Sequence, residues 1–478
     1  MSLRKQVLQS STVMAARQAL GLGVGAIGAV VMARMIGADD YGVAVAAIGL
    51  ILFAVNAGRL GTGYYLVAQT EEPSTELYNY AFTLMLAVGV LLAASLFALL
   101  PLVYLWYDDF RFVQPLFVLI PVSILMVAVE PARALLERDL RYRELANVEM
   151  SGEILYLLCS VSLALLGFGF WAPAIGFVAG KSLTTLRVLH VSGLRPRFAV
   201  SRAAFSEILR YGAKISVSRT IGSLGMLVNP LIVGRLAGPS GVAYVNVAAK
   251  SIDVCLFLGN AAARVSFATF SRLQAERPRL RRAVEQAMVL VAIACGGPLV
   301  LAALIGAYPF SLLFGSEWLE AWELFPYLAL AGLVTTVMGM PRSALMVIDH
   351  SVLVGVADAI ELGTFMLAAF VLMPEFGLIG FAYARLVGFV GHALVIWSMH
   401  RHLELSIWPI VPWVAVFGCA LFAAPDRSLW SLLLLAPLLL LVIVPGYRRR
   451  LLDYYSWGRE LVDARFLRRP SRTVDALP

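Results

Sequence analysis

Long apolar stretches recur along the whole chain, and polar residues cluster in the short gaps between them. Each stretch is long enough to cross a hydrocarbon layer of about 30 Å as an α-helix, which rises about 1.5 Å per residue. The pattern predicts about fourteen membrane-spanning helices, numbered one to fourteen along the chain, over residues 12–36, 42–68, 78–105, 113–131, 147–167, 171–190, 208–236, 242–270, 284–313, 322–346, 351–373, 377–399, 406–425 and 429–446.

Basic residues fall mainly in every second gap between these spans. Those gaps and the two termini hold about 26 arginines and lysines, Arg342 and Arg401 among them, whereas the intervening gaps hold only Arg111 and Arg427. Cytoplasmic loops of membrane proteins carry the excess of positive charge. The distribution therefore predicts that both termini lie in the cytoplasm.

The composition agrees with a chain whose solvent is lipid. Hydrophobic residues make up 60% of the sequence, charged residues only 14%, and the mean hydropathy is +0.83. A soluble chain carries roughly a quarter of its residues as charged ones. The net charge of +8 sits beside the predicted spans, so anionic membrane lipids are the expected partner and no nucleic acid is.

Cysteine and histidine give no sign of a metal site or a disulfide. The four cysteines lie in apolar stretches without paired spacing, and the five histidines include no two at a metal-binding spacing. We therefore expect the cysteines to be small buried residues.

The chain divides into two repeated halves. Arg34-Met35-Ile36-Gly37 after span one matches Arg235-Leu236-Ala237-Gly238 after span seven. Because six spans separate the copies, both enter the membrane from the same side, and such parallel repeats are typical of alternating-access transporters. The predicted domains are an N-lobe of spans one to six at 1–205, a C-lobe of spans seven to twelve at 206–400, two further spans at 401–446 and a basic cytoplasmic tail at 447–478.

The basic tail has its own predicted structure. Its arginines alternate with leucine and aromatic residues between Tyr447 and Arg472. This pattern predicts an amphipathic helix that lies on the inner leaflet and is stabilised by anionic lipid. A disordered tail that only fixes the topology is the alternative.

Several charged residues lie inside the predicted spans, where each must face water or a partner. Lys250 and Asp253 are three residues apart on span eight, so mutual neutralisation and a role in transport are both open. Arg34 and Arg235 stand at helix ends, and we expect them, like Lys181, to extend towards the lipid headgroups.

Four arginines lie at similar depth in the inner halves of spans one, two, seven and eight. They are Arg17, Arg59, Arg219 and Arg264. If the lobes face each other, these guanidinium groups line one vestibule open to the cytoplasm and bind phosphate oxygens bidentately. The alternative is four unrelated arginines that are paired or reach the headgroups. Lys214, Lys250 and Arg385 are candidate supporting cations.

Acidic residues suggest a route for ion coupling. Asp358 and Glu361 lie one turn apart on span eleven without an evident local cation. Such a pair can share a proton or bind Na⁺, and Asp253 is a third candidate. Structural pairing with Arg385 on span twelve is the alternative. No other cofactor is predicted.

The chain resembles the polysaccharide-flippase branch of the multidrug/oligosaccharidyl-lipid/polysaccharide (MOP) exporter superfamily, close to the Wzx-like flippases. The resemblance runs from about residue 5 to 400. It is carried by MARMIGADDYG, AGRLGTGYYLV, LLERDLRYR, LALLGFGFWA, RYGAKISVSR, FSRLQAERPRLRRA and LLFGSEWLEAW, in that order.

The resemblance implies an all-α, two-lobed, V-shaped bundle in the bacterial cytoplasmic (inner) membrane. It implies a flippase that moves an undecaprenyl-diphosphate-linked oligosaccharide between leaflets during the synthesis of lipopolysaccharide, O-antigen or exopolysaccharide. A polysaccharide polymerase and export machinery are the implied partners. It also implies cationic residues that line the cavity on spans one, two, seven and eight, which Arg17, Arg59, Arg219 and Arg264 match.

Three other functions compete with this one. A MATE-like drug exporter shares the architecture but favours acidic sites for cationic drugs. A lipid II flippase is hard to separate by sequence. A membrane-embedded glycosyltransferase or polymerase needs a large catalytic loop, and the predicted outer loops at 37–41 and 314–321 offer few candidates. We therefore expect a transporter and no enzyme.

Overall fold

The computed structural model describes residues 3–69, 71–423 and 435–438. Within its helices it leaves out the side chains of 3–22, 24, 26, 213–222, 260, 264, 265 and 268. Most of predicted span fourteen and the whole basic tail lie outside the described residues, so the amphipathic helix stays a prediction.

The described residues form helices and no strand. Short 3₁₀ turns at Phe110–Phe112 and Ser316–Trp318 and a π-helical turn at Val228–Val233 join longer elements. The α-helices are α1 Leu3–Gly58, α2 Thr62–Ala68, α3 Thr75–Tyr107, α4 Leu116–Ala128, α5 Glu130–Arg138, α6 Tyr142–Leu165, α7 Trp171–Ser192, α8 Arg202–Leu227, α9 Gly234–Leu236, α10 Gly238–Leu273, α11 Arg277–Ile305, α12 Ala307–Phe314, α13 Leu319–Glu323, α14 Phe325–Val347, α15 Ser351–Val387, α16 Val390–Leu403 and α17 Val411–Phe422.

These helices make an all-α integral membrane protein, as the apolar pattern predicts. Eight helical segments of the described part are long and apolar enough to cross a membrane by length and composition. Two of the continuous helices are broken where the sequence separates neighbouring spans: α1 at Gly37, with φ 78°, and α15 at Gly377, with φ 58°. The exact number of fourteen spans stays a prediction.

The turns between helices recur in matched pairs. Residues with positive φ end corresponding helices roughly 200 to 210 positions apart: Gly37 and Gly238, Asp108 and Gly315, Leu140 and Asp349, Gly169 and Gly377, Gly193 and Glu404. A left-handed residue lets the chain leave a helix and reverse within one turn. This spacing supports the predicted internal repeat well beyond the four-residue match in the sequence.

The turns also define two ends of the bundle. The Gly37 end carries the turns at Gly37, Asp108, Gly169, Gly238 and Gly315, and the Leu140 end carries those at Leu140, Gly193, Asp349 and Glu404.

Apolar packing follows the two halves of the chain. One buried cluster is built from residues 47–208, and a second mainly from 228–421. A smaller third cluster at the Gly37 end mixes the halves, and includes Met32, Tyr41, Val247 and Trp318. The backbones of the two halves come close at both ends of the bundle. A Cβ atom added at Gly42 would collide with the Pro239 carbonyl, and one added at Gly212 would collide with the Leu60 carbonyl.

Candidate functional site

Two intramembrane cations of the first half are paired with carboxylates. Arg59 Nε lies 3.2 Å from Glu130 Oε2, and Lys181 Nζ lies 2.7 Å from Glu153 Oε1. The expectation that Lys181 extends to the headgroups is therefore wrong, because a carboxylate on the neighbouring helix α6 neutralises it at lower cost. The glycine at position 63 leaves space for the pair of Arg59 and Glu130, since a Cβ atom there would collide with Glu130.

Arg59 is the member of the predicted vestibule whose side chain is described. It keeps 29% of its side-chain surface exposed, against 14% for Glu130. The Arg59 side chain therefore has a structural partner and is partly exposed. The side chains of Arg17, Arg219, Arg264 and Lys214 lie outside the described residues, so the four-arginine vestibule stays a prediction.

A polar cluster joins the two halves near the middle of the bundle. Tyr41 donates its hydroxyl hydrogen to Asn246 Oδ1 at 3.3 Å, and Lys250 Nζ lies 3.5 Å from the same hydroxyl. Lys250 also interacts electrostatically with Glu153, Tyr156 and Asp253. At about 1.5 Å per residue, Lys250 lies about 18 Å along α10 from Gly238, which is close to the midplane of a bilayer.

The structure separates the side chains of Lys250 and Asp253, and both interpretations of this pair stay predictions. Among the described residues, no ion pair within 4.0 Å joins the two side chains. Lys250 instead turns towards Tyr41 on α1 and Tyr156 on α6. It therefore belongs to the contact between the halves, while Asp253 is exposed.

Lys250 also stands in the wall of an apolar crevice of about 280 Å³. The crevice is bounded by Ala29 and Val30 of α1, by α10, and by residues of α11, α12 and α14 such as Phe310, Phe314 and Phe325. Lys250 is the charged residue of this lining. An ammonium group beside an apolar slot can hold an anionic head while the slot takes the attached hydrocarbon chain.

A second charged network lies within the C-terminal half. Arg342 Nη2 contacts Glu361 Oε2 at 2.5 Å and Asp358 Oδ1 at 3.3 Å, and Arg385 Nη1 lies 3.6 Å from Glu361 Oε1. His392 Nδ1 is 3.6 Å from Glu361. Two guanidinium groups thus balance two carboxylates, and Arg342 and Glu361 are the largely buried members of the network.

This network corrects two expectations. Arg342 is not a loop residue that sets topology, because it lies inside α14 with only 14% of its side chain exposed. Asp358 and Glu361 do not lack a cation: Arg342 pairs with both, and the predicted alternative partner Arg385 reaches Glu361. Antiparallel packing of α14 and α15 brings Arg342 to its partners, and no spacing in the sequence reveals this contact.

Side chains of the two halves also lock together at the Gly37 end. Arg34 Nη1 donates to the carbonyl of Leu312 at 2.6 Å and to that of Leu313 at 3.2 Å, at the C-terminus of α12. Trp106 Nε1 donates to Leu231 O at 2.8 Å and Tyr107 Oη to Pro230 O at 2.7 Å, in the π-helical turn. The last carbonyls of a helix lack intrahelical donors. Arg34 therefore caps a helix of the other half. Its predicted extension to the lipid headgroups stays a prediction.

An all-helical membrane bundle with two repeated halves, a polar cluster where they meet and an apolar crevice beside it has the architecture of a transporter. The chain belongs to the polysaccharide biosynthesis protein family, whose model matches residues 31–323. The predicted membership is thereby confirmed.

Individual relatives agree with this family. The chain is 25% identical to the lipopolysaccharide biosynthesis protein WzxC of Escherichia coli (strain K12), with 85% of each chain covered. It is 26% identical to the succinoglycan biosynthesis transport protein ExoT of Rhizobium meliloti (strain 1021), over 64% of this chain and 62% of that one. The structure is similar to that of the lipid II flippase MurJ in an inward closed conformation, with a TM-score of 0.72 and 12% identity over 97% of this chain and 100% of that one.

Proposed function

We propose that this protein moves an undecaprenyl-diphosphate-linked oligosaccharide from the inner to the outer leaflet of the bacterial cytoplasmic membrane. The observation that carries the proposal is the apolar crevice with Lys250 in its wall, bounded by α1 of the first half and by helices of the second half. A polyprenyl chain needs an apolar path and its diphosphate needs cations, so this pairing of features suits the substrate. The printed names of the relatives, which refer to polysaccharide synthesis and transport, support the same substrate class.

Binding of the diphosphate begins in the proposed vestibule of Arg17, Arg59, Arg219 and Arg264. From there the headgroup moves to Lys250 as the lobes, 1–205 and 206–400, rock about their contact. The arginine-rich gaps favour an orientation with the Leu140 end and both termini in the cytoplasm. The contacts of Arg34, Trp106 and Tyr107 then close the periplasmic side and must break for release, as alternating access requires.

Ion coupling is a further part of the proposal. Asp358 and Glu361 are paired with Arg342, so Na⁺ at that site would have to displace a guanidinium group. A proton that neutralises one carboxylate would instead loosen Arg342 without a direct competition for space. Asp253 is exposed on the crevice-lining helix α10 and remains the other candidate. A polysaccharide polymerase and export machinery are proposed partners that receive the flipped product.

Deleting the gene in the producing bacterium tests the proposed substrate. Surface polysaccharide should disappear, and the lipid-linked oligosaccharide should accumulate in the inner leaflet, where periplasmic sugar-modifying enzymes cannot reach it. Restoring the gene should reverse both effects. A lipid II flippase would instead leave the polysaccharide intact and accumulate lipid II with cell lysis, which would overturn the proposal.

Cysteine accessibility tests the orientation and the closure together. In a cysteine-free background, an impermeant maleimide added to intact cells should label Glu317→Cys, which is exposed at the Gly37 end, and spare Val247→Cys, which is buried behind Arg34. Adding Arg34→Ala should speed labelling of Val247→Cys at least about fivefold, because hydrogen bonds to a charged group stabilise the closed end. Equal labelling of Val247→Cys with and without Arg34 would contradict the closure, and no labelling of Glu317→Cys would reverse the orientation.

A further inference from the structure

Two histidines meet at the Leu140 end of the bundle, outside the proposed transport path. His350 lies in the turn between α14 and α15, and His402 in the last turn of α16. Their Nε2 atoms are 3.1 Å apart, and both side chains are partly buried. They are 52 residues apart in the sequence, so the histidine spacing does not reveal the pair.

The other nitrogen of each ring fixes its tautomer. His350 Nδ1 lies 2.8 Å from the carbonyl oxygen of Ile348, and His402 Nδ1 lies 2.8 Å from the carbonyl oxygen of Ser398. A carbonyl oxygen only accepts hydrogen bonds, so each Nδ1 must carry a hydrogen and donate it. In the neutral rings, both Nε2 atoms then bear lone pairs and no hydrogen.

Two lone pairs facing each other at this distance repel unless a positive charge lies beside them. A proton held directly between the nitrogens would need a nearly linear bond, which would keep the ring centroids more than about 5 Å apart. The centroids are only 4.2 Å apart, and the ring planes are inclined by 58°. The rings are therefore offset, and their Nε2 lone pairs do not point straight at each other.

We infer that His350 and His402 bind a divalent transition-metal ion of the Zn²⁺ class through their Nε2 atoms. Metal-binding histidines commonly donate their other ring N–H to a backbone carbonyl, which is the arrangement of both rings. Two nitrogens bound at about 2.0–2.1 Å to one ion lie close to 3 Å apart, as these atoms do.

The remaining coordination positions fall to water. Among the described residues, no group of three histidine, cysteine or carboxylate side chains is placed to hold a metal. Asp349, next to His350 in the sequence, is exposed and adds negative charge, whereas Glu404 is already paired with Arg281, whose Nη1 lies 3.6 Å from Glu404 Oε2. Arg277 Nη1 also donates to the carbonyl of His402 at 3.4 Å. The ion would tie the α14–α15 turn to the end of α16, both within the C-terminal half.

Co²⁺ binding by the purified full chain in lipid nanodiscs tests the site. Ligand-field absorption should titrate to one Co²⁺ per chain at neutral pH, and Zn²⁺ should displace it. His350→Ala and His402→Ala should each weaken Co²⁺ binding at least about 100-fold, because each removes one of two protein ligands. His400→Ala is the matched control, since it lies on the same helix turn and its Nδ1 only approaches Leu405 O at 3.5 Å.

Thermal unfolding without metal separates binding from folding. The variants should unfold near the wild-type temperature in a chelator, and only wild type and His400→Ala should be stabilised by added Zn²⁺. Full Co²⁺ binding by a well-folded His350→Ala or His402→Ala would overturn the site. So would the absence of Co²⁺ binding in the wild type, which is the result expected if the pair only shares a proton.

Discussion

Replacing Arg342 by alanine is expected to destabilise the folded protein by about 3–5 kcal/mol, because removing one partner of a buried ion pair leaves the other charge uncompensated. Arg342 contacts both Asp358 and Glu361, and Glu361 keeps only 10% of its side chain exposed. Arg385, at 3.6 Å from Glu361, is too distant to replace both contacts. The buried carboxylate of Glu361 would then lose its nearest cation and keep only the more distant Arg385.

The measurement is the free energy of unfolding in mixed micelles, together with the amount of protein in the membrane. Arg281→Ala is the matched control, because Arg281 pairs with Glu285 in the same half but keeps 40% of its side chain exposed. That change should cost no more than about 1 kcal/mol. Equal stability of the two variants would show that the Arg342 network is not a structural element.

Single alanine substitutions of Arg17, Arg59, Arg219 and Arg264 are expected to lower polysaccharide export roughly tenfold or more at normal protein levels. Each charge-assisted contact to a phosphate contributes about 1.5–3 kcal/mol. Lysine should restore export only in part, because it keeps the charge and loses the bidentate geometry. Arg235→Ala is the control, since Arg235 is exposed at the opposite end of the bundle. Normal export by all four alanine variants would contradict the proposed vestibule.

The pair of Arg59 and Glu130 allows a sharper test. If Arg59 serves only to neutralise Glu130, then Glu130→Gln should rescue the stability and the export of Arg59→Ala. If Arg59 binds the diphosphate, the double variant should be stable and still deficient in export. Protein abundance and export, measured in the same strains, separate the two roles.

Much of the fold follows from the sequence alone. Because lipid offers no hydrogen bonds, every apolar stretch of sufficient length has to become a helix, and the positions of the stretches therefore locate the helices. Gly37 and Gly377 mark the breaks within α1 and α15, since each separates two apolar stretches and adopts a positive φ. The match between Arg34–Gly37 and Arg235–Gly238 also pointed to a repeat that the paired left-handed turns support.

The charged side chains show where sequence reasoning failed. A charge within a span must be compensated, and the sequence identified Arg34, Lys181, Asp358 and Glu361 as residues with that need. It did not identify their partners, which lie on other helices: the carbonyls at the end of α12, Glu153 on α6, and Arg342 on α14.

The sequence by itself determined that this protein is a bundle of membrane helices, where its chain reverses and which residues carry charge into the membrane. Only the tertiary structure decided which charges neutralise each other, that Lys250 stands between the halves, and that His350 meets His402. The physical reason is that hydrophobicity acts on each segment separately, whereas electrostatic and hydrogen-bonded contacts depend on which helices become neighbours.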